Sequence, residues 1–437
     1  METYKDMLHY YDPDYTPKDT DIICLYKYET KEGIPFGEGA EQLAAESSIG
    51  TWTKISTMND EIANTLKPHV TRLDEDKGLA EIAYPIELFE VNNMSGILSS
   101  ICGNILGMKI LESLRVCDIK FPEVVIKAMP GPAHGIAGVR EICKVEDRPL
   151  TGTIVKPKVG LTWEQHAEVG LQAWSGVDGK GLDIVKDDEN LTSQDFNDFD
   201  NRMKATFEVR DKVEAETGQK KTYLANITHS DFDEMMRRSD LVKELGGEVC
   251  MLDVVTLGFS AVHSYRLKNT GQIVHAHRAM HGAITRPPGF TVSMLVLAKV
   301  YRMLGVDLLH TGTAGAGKME GGALETMTIV DNLEKDSVVA NPEAESIGQE
   351  WFGMKPVLAV ASGGLYPGTI PMVVEKMGKD IVCQMGGGCH GHPDGTQVGA
   401  SAIVMAVEAS MQGIDIEEYA KDKPALQKAL EKWGTKK

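Results

Sequence analysis

Lys186, Asp188 and Glu189 stand within four residues of one another, directly after the apolar run 182–185. Two adjacent carboxylates in that place can hold a hard cation such as Mg2+ through oxygen ligands, or can form a salt-bridged loop. The lysine widens the chemistry. Asp187, Asp188 and Glu189 favour its cation, whereas Lys156 and Lys158, on the preceding run, disfavour it. A neutral amine can take up CO2 as a carbamate, which exchanges a cation for an oxygen ligand. His275 and His277 are also two apart on an apolar run and so share one face of a strand. That spacing suits a metal pair or a pair of hydrogen-bonded interior histidines.

Glycine-rich segments supply a second kind of chemistry. Gly312 to Lys318 spells G-x-x-x-x-G-K, but Met319 stands where a P-loop needs Ser or Thr. A lid carrying Lys318 suits it better. Gly386 to Gly391 matches G-x-G-x-x-G with no βαβ unit behind it, and Ser362-Gly363-Gly364 is similarly small. Both can form nests of backbone amides for a phosphate. Two such nests, a metal and several cations together suggest a bisphosphate.

These residues need elements to hold them. Eight apolar runs, at 153–158, 182–189, 223–229, 249–255, 273–278, 306–313, 357–364 and 381–388, each end in polar or glycine residues. Longer segments separate them, among them expected helices at Gln194–Thr217 and Thr291–Leu304. Eight strand-then-helix units make a (β/α)8 barrel, whose chemistry sits where strands end. Ahead of it, expected strands at Ile22–Tyr28 and Leu79–Ile86 and expected helices at Glu38–Glu46 and Ile97–Leu106 read as a small α+β domain. The stretch Ala128–Gly138, rich in Pro and Gly, marks the boundary, giving domains 1–132 and 133–437.

Composition excludes several classes. The 437 residues carry 45 Lys+Arg against 64 Asp+Glu, a net charge of −19, which argues against nucleic acid and acidic membrane surfaces. The seven cysteines are odd in number and contain no C-x-x-C pair, as expected of reduced thiols. No apolar run is long enough to span a bilayer, so the cytoplasm is the expected location.

At this point the motifs carry a resemblance. GTIVKPKVGL, GLDIVKDDEN, HAHRAMH, HTGTAGAGKMEGG, VASGG and QMGGGCHGHPDG resemble the barrel signatures of the RuBisCO large-subunit family. AAESSIGTWT and SSICGNILGMK resemble that family's other active-site segments. The form of the motifs is similar to the archaeal form III branch. Ile154, Ile49 and Thr311 depart from the plant pattern, and the lid is one residue longer. These departures bear on CO2/O2 discrimination rather than on metal or proton chemistry.

The resemblance implies a C-terminal (β/α)8 TIM barrel with a helical tail, preceded by a smaller α+β domain of ferredoxin-like type. It implies carboxylation of ribulose 1,5-bisphosphate, with competing oxygenation by O2, through a Mg-bound enediolate that gives two 3-phosphoglycerate. Form III relatives link this reaction to archaeal AMP salvage. Lys186 would be carbamylated by an activating CO2 and would hold Mg2+ with Asp188 and Glu189. Lys156 and His277 would move protons, Lys158 would contact the substrate, and Lys318 would stabilise the developing carboxylate. Arg278 and His310 would clamp one phosphate. Gly363, Gly364, Gly386 and Gly387, with Gln384 and Met385, would line the other, and Ser362 would contact the sugar. His281 is similar to a further histidine near the family's site. Glu46, Thr51, Trp52 and Asn104 would complete the site of a partner subunit, in a homodimer with shared sites that can assemble into larger rings without a small subunit. Two rival readings are a RuBisCO-like enolase of methionine salvage and a non-catalytic sugar-bisphosphate sensor. Retention of the lid lysine and the metal set argues against both.

Overall fold

The structure is a computed structural model, and it describes residues 9–51, 53, 55–268, 271–319 and 321–436. In chain order its strands are β1 (Ile22–Thr30), β2 (His69–Asp74), β3 (Leu79–Tyr84), β4 (Leu111–Lys120), β5 (Leu150–Ile154), β6 (Ile184–Lys186), β7 (Thr222–Asn226) and β8 (Val249–Asp253). Then come β9 (Ile273–His277), β10 (Phe290–Val292), β11 (Leu308–His310), β12 (Ser337–Val338), β13 (Gln349–Glu350), β14 (Leu358–Ser362) and β15 (Ile381–Gln384). The chain divides into two compact units. One takes the residues through Pro130 with Met280–Met303 and Lys335–Met354. The other takes Gly131–Ala279, Leu304–Glu334 and everything from Lys355. Among the described residues no helix is long and apolar enough to cross a membrane.

The first unit is a sheet of order β10-β4-β1-β3-β2. β1 runs antiparallel to β3 and β4, and β2 antiparallel to β3. Helices Phe36–Glu46 and Met94–Ile101 follow β1 and β3, which gives the βαββαβ order of a ferredoxin-like domain. β10 adds itself parallel to β4. The helix expected over Thr291–Leu304 therefore starts later, at Met294. Pro287-Pro288-Gly289 cannot open a helix here, Phe-Thr-Val suits a pleated surface, and the Leu114 amide already donates to the Gly289 carbonyl at 3.2 Å. Inside this unit the fully buried Lys299 ammonium lies 2.6 Å from Asp118 Oδ1, whose Oδ2 accepts the Ile347 amide at 2.9 Å.

The second unit is a closed barrel of order β11-β14-β15-β5-β6-β7-β8-β9. All eight apolar runs supply a strand. The first begins earlier than its run, at Leu150, and ends at Ile154, because Pro157 has no N–H to continue a ladder. The helix expected from Gln194 begins at Phe199, where the Asp198 carboxylate caps it by accepting the Asn201 amide at 3.0 Å. Leu150, Ile184, Leu224, Val249, Ile273, Leu308, Leu358 and Val382 bring one apolar side chain per strand into a single cluster, closed by Val139 and Cys143. Each such burial contributes about 1.5–3 kcal/mol.

Buried aspartates stitch the strand starts. Asp307 Oδ1 accepts the amides of His134 and Gly135 at 2.8 and 2.9 Å. Its Oδ2 accepts Arg266 Nη2 at 2.7 Å and the Val274 amide at 2.9 Å. Asp183 likewise takes Arg148 at 2.7 and 2.8 Å and the Thr151 amide at 2.8 Å. Replacing Asp307 by Ala strands a buried guanidinium and should cost about 3–5 kcal/mol. Urea unfolding checks this, and a loss below about 1 kcal/mol would show that the hub is dispensable.

Candidate active site

The metal-type motif is held by the residue in its middle. Lys186 ends β6, in register with Ile154 of β5 and Leu224 of β7. Asp187 comes next and is fully buried. Its Oδ1 accepts the Tyr223 hydroxyl and lies 3.2 Å from Arg202 Nε and 3.3 Å from His166 Nε2. Its Oδ2 accepts the Asn226 amide at 2.9 Å. Burial alone would raise this carboxyl, but the Arg202 charge and the His166 and Tyr223 hydrogen bonds outweigh it and hold the pKa at about 2.

Asp188 and Glu189 meet cations. Lys156 Nζ lies 2.5 Å from Asp188 Oδ2, and Asn190 donates twice to Oδ1, at 3.0 and 3.1 Å. Lys158 Nζ donates to Glu189 Oε1 at 2.9 Å. Burial would raise the Glu189 carboxyl, yet the charges of His277 and Lys186 and the Lys158 hydrogen bond keep it below the usual range. Lys186 is fully buried, and its amine donates to the Asp187 carbonyl at 2.7 Å and to Met251 Sδ at 3.1 Å. Burial pushes this amine down against the pull of Glu189, Asp253, Asp188 and Asp187. The sequence reading assigned that depression to Lys156 and Lys158. Desolvation is the cause, and the two lysines are engaged with Asp188 and Glu189.

The histidines separate in role. His277 Nδ1 accepts the Ala279 amide at 3.2 Å, and its ring faces Glu189 at 3.6 Å and Asp253 at 3.5 Å. His275 is fully buried against His310, Nε2 to Nε2, at 2.9 Å. Burial lowers the Arg278 guanidinium to about 10, with Glu325 as its nearby anion. Among the described residues no group of three or more His, Cys, Asp or Glu is set to hold a metal. The H-x-H pair is therefore no metal site by itself.

Backbone turns face the same strand ends. Gly363 and Gly364 have φ of 122° and 79°, a region only glycine enters without strain. The Lys318 amide donates to the Gly363 carbonyl at 3.0 Å, so the segment carrying Lys318 rests on this turn. Ser362 pairs with Gln384 between β14 and β15. Both amide atoms of Gln384 are buried without a hydrogen-bond partner among the described residues, and the Met385 carbonyl accepts the Thr153 hydroxyl at 2.7 Å. Gly386 precedes the four-residue helix Gly387–His390, and a Cβ on it would lie 2.8 Å from Lys156 Cε.

Four of the expected site residues belong to the first unit. Asn104 Nδ2 donates to Glu46 Oε1 at 3.2 Å, while Thr51 lies in the loop beyond that glutamate's helix. Trp52 lies outside the described residues. His281 is also in this unit, 3.0 Å from Thr285 Oγ1. Sequence reasoning passed over Asn226 and Asp253, and took Asp187 only as a charge beside Lys186, not as the buried anchor. Asp253 lies inside the apolar run 249–255 but ends the strand β8, so the rule that strand ends carry chemistry finds it once the strand's true end is known.

Residues 135–433 match the model of the ribulose bisphosphate carboxylase large chain catalytic domain, and residues 9–125 match that of its N-terminal domain. The chain belongs to the RuBisCO large-chain family. It is 49% identical to the ribulose bisphosphate carboxylase of Methanocaldococcus jannaschii, covering 98% of this chain and 100% of that one. It is 43% identical to the Pyrococcus furiosus protein of the same name, covering 99% and 98%. Among solved structures, the dimeric archaeal RuBisCO of Hyperthermus butylicus superposes with a TM-score of 0.90 at 41% identity, covering 97% of this chain and 98% of that one. The octameric RuBisCO of Pyrococcus horikoshii, in complex with sulfate ion, gives 0.88 at 41%, covering 97% and 96%.

One half-buried histidine braces the end of β5 in this RuBisCO barrel. His390 Nε2 is 2.9 Å from the Ile154 carbonyl and Nδ1 is 3.0 Å from Thr396 Oγ1, and burial lowers its pKa to about 4. Between about 6.5 and 4 the unfolded chain binds the extra proton and the folded chain does not. Stability therefore rises with pH across this window and is lost on acidification, by up to about 1.4 kcal/mol per pH unit. His390→Gln should remove that part of the slope in urea titrations. An unchanged slope would assign it to other groups.

Proposed function

We propose that this chain carboxylates ribulose 1,5-bisphosphate, with O2 as a competing substrate, to give two 3-phosphoglycerate, and that it does so in archaeal AMP salvage. One observation carries the reading. In a chain that matches archaeal RuBisCO along its length, a lysine sealed at a strand end stands beside two carboxylates that are each balanced by a lysine.

The donor set fits Mg2+ and CO2. Asp188 and Glu189 offer two hard carboxylates, and Lys186, whose amine burial disposes toward neutrality, offers a site for CO2 as carbamate. These three would hold Mg2+, with Lys156 and Lys158 supplying local positive charge in its absence. When bound, Mg2+ polarises the C2 carbonyl and C3 hydroxyl as a Lewis acid. Lys156 and His277 carry protons to and from the sugar carbons, Lys156 from beside Asp188 and His277 from beside Glu189. Lys318 meets the carboxylate that develops as CO2 adds, and Lys158 contacts the substrate. Arg278 and His310 bind one phosphate. The amides at Gly363–Gly364 and Gly386–Gly387 bind the other, with Gln384 and Met385 behind them and Ser362 on the sugar.

Glu46, Thr51, Trp52 and Asn104 complete the partner's site in a homodimer. Dimeric and octameric archaeal RuBisCO structures support such assembly. The functional division we assign is a 1–132 domain and a 133–437 catalytic domain.

Incubation with ribulose 1,5-bisphosphate, Mg2+ and labelled bicarbonate should give acid-stable label in 3-phosphoglycerate, and no label would sink the carboxylase reading. Lys186→Arg, which stays protonated, should retain under about a tenth of that activity. Glu46→Gln and Lys186→Ala should each be inactive, yet randomly exchanged subunits should recover about a quarter of wild-type activity, because half the mixed dimer's sites are intact. Proven exchange with no recovery would reject the intersubunit role of Glu46.

A further inference from the structure

Two buried histidines meet across neighbouring strands. His275 of β9 and His310 of β11 approach Nε2 to Nε2 at 2.9 Å, with ring planes at 87°. At that distance one nitrogen donates a hydrogen and the other accepts it. Burial lowers both rings well below the ordinary imidazole range, so each is neutral and holds one proton. The open question is which ring donates.

The far side of His275 answers it. Its Nδ1 is buried and has no hydrogen-bond partner among the described residues. Were His275 the acceptor, its own proton would sit on Nδ1 as an N–H sealed from water without an acceptor, a rare arrangement. The Lys186 charge also bears on this ring. Lys186 Nζ rests on Met251, the residue that pairs with His275 between β8 and β9. A bare nitrogen suits a neighbouring amine better than an N–H does. The His275 proton therefore belongs on Nε2, and His310 accepts it. His310 must then carry its own proton on Nδ1, an atom that makes no hydrogen bond to any described residue. The Arg278 guanidinium bears on His310 as a positive neighbour, so the place favours an anion.

We infer that His275 is a positioning residue that locks His310 as its Nδ1–H tautomer, so that His310 presents a donor rather than a lone pair to an anionic oxygen beside Arg278. The consequence rests on the reading of His310 as a phosphate contact. A lone pair in that position would repel a phosphate oxygen, whereas an N–H adds a charge-assisted hydrogen bond.

Nitrogen and carbon NMR of histidine-labelled protein tests the lock, with signals assigned through His275→Gln and His310→Gln. In the free wild-type protein His310 should carry its proton on Nδ1 and His275 on Nε2, and His275→Phe, which removes the donor, should release the lock so that the His310 proton is shared between its two nitrogens. A wild-type His310 protonated on Nε2, or on both nitrogens, overturns the inference. It does so from the wild-type spectrum alone, should the Phe variant fail to fold. Kinetics then separates the two claims. His275→Phe should raise KM for ribulose 1,5-bisphosphate at least about tenfold with a smaller change in kcat, and His275→Gln, whose Nε2 donates from the same place, should restore most of it. The inferred tautomer with an unmoved KM would uphold the lock and reject His310 as a phosphate contact.

Discussion

Asp187 is a carboxylate without access to solvent, and its charge survives there because Arg202, His166, Tyr223 and the Asn226 amide converge on it. Breaking a buried pair of this kind typically costs about 3–5 kcal/mol, so the turn after β6 has little freedom to rearrange. The order of the motif follows from that anchor. Lys186 lies before it, sealed under the strand end, while Asp188 and Glu189 lie after it, where Lys156 and Lys158 reach them. Without a fixed Asp187, Lys186, Asp188 and Glu189 would have no common frame.

Charge is distributed around this frame on two scales. The whole chain carries −19, which would repel a bisphosphate. Locally, Lys156, Lys158, Lys186, His277 and Arg278 gather at the ends of three barrel strands, β5, β6 and β9, or just beyond them, with Lys318 on the loop after β11. A site that holds its cations at strand ends can bind an anion inside an acidic protein, since short-range pairing dominates over screened distant charge. The same crowding explains why burial, more than any single neighbour, sets the state of Lys186, His275 and His310.

Much of this was legible in the sequence because periodicity and punctuation are local. Eight apolar runs each became a strand, and Gly363 and Gly364, read as a turn of backbone amides, have positive φ. What escaped depended on tertiary context. β10 reads as the start of a helix until β4 offers it a ladder. Asp187 reads as one more acid in an acidic motif, since nothing local says that Arg202, fifteen residues on, will be buried against it. The state of Lys186 stays open in the sequence, where carboxylates and lysines pull it opposite ways, because sequence displays charges and hides the desolvation that lowers it.

The account turns on Lys186 as the group that takes up CO2. Carbon-13 NMR of the protein with labelled bicarbonate, with and without Mg2+, addresses this most directly. The account predicts one carbamate resonance that Mg2+ stabilises and that Lys186→Arg abolishes. No carbamate resonance in the wild-type protein, or one that persists in Lys186→Arg, would contradict it.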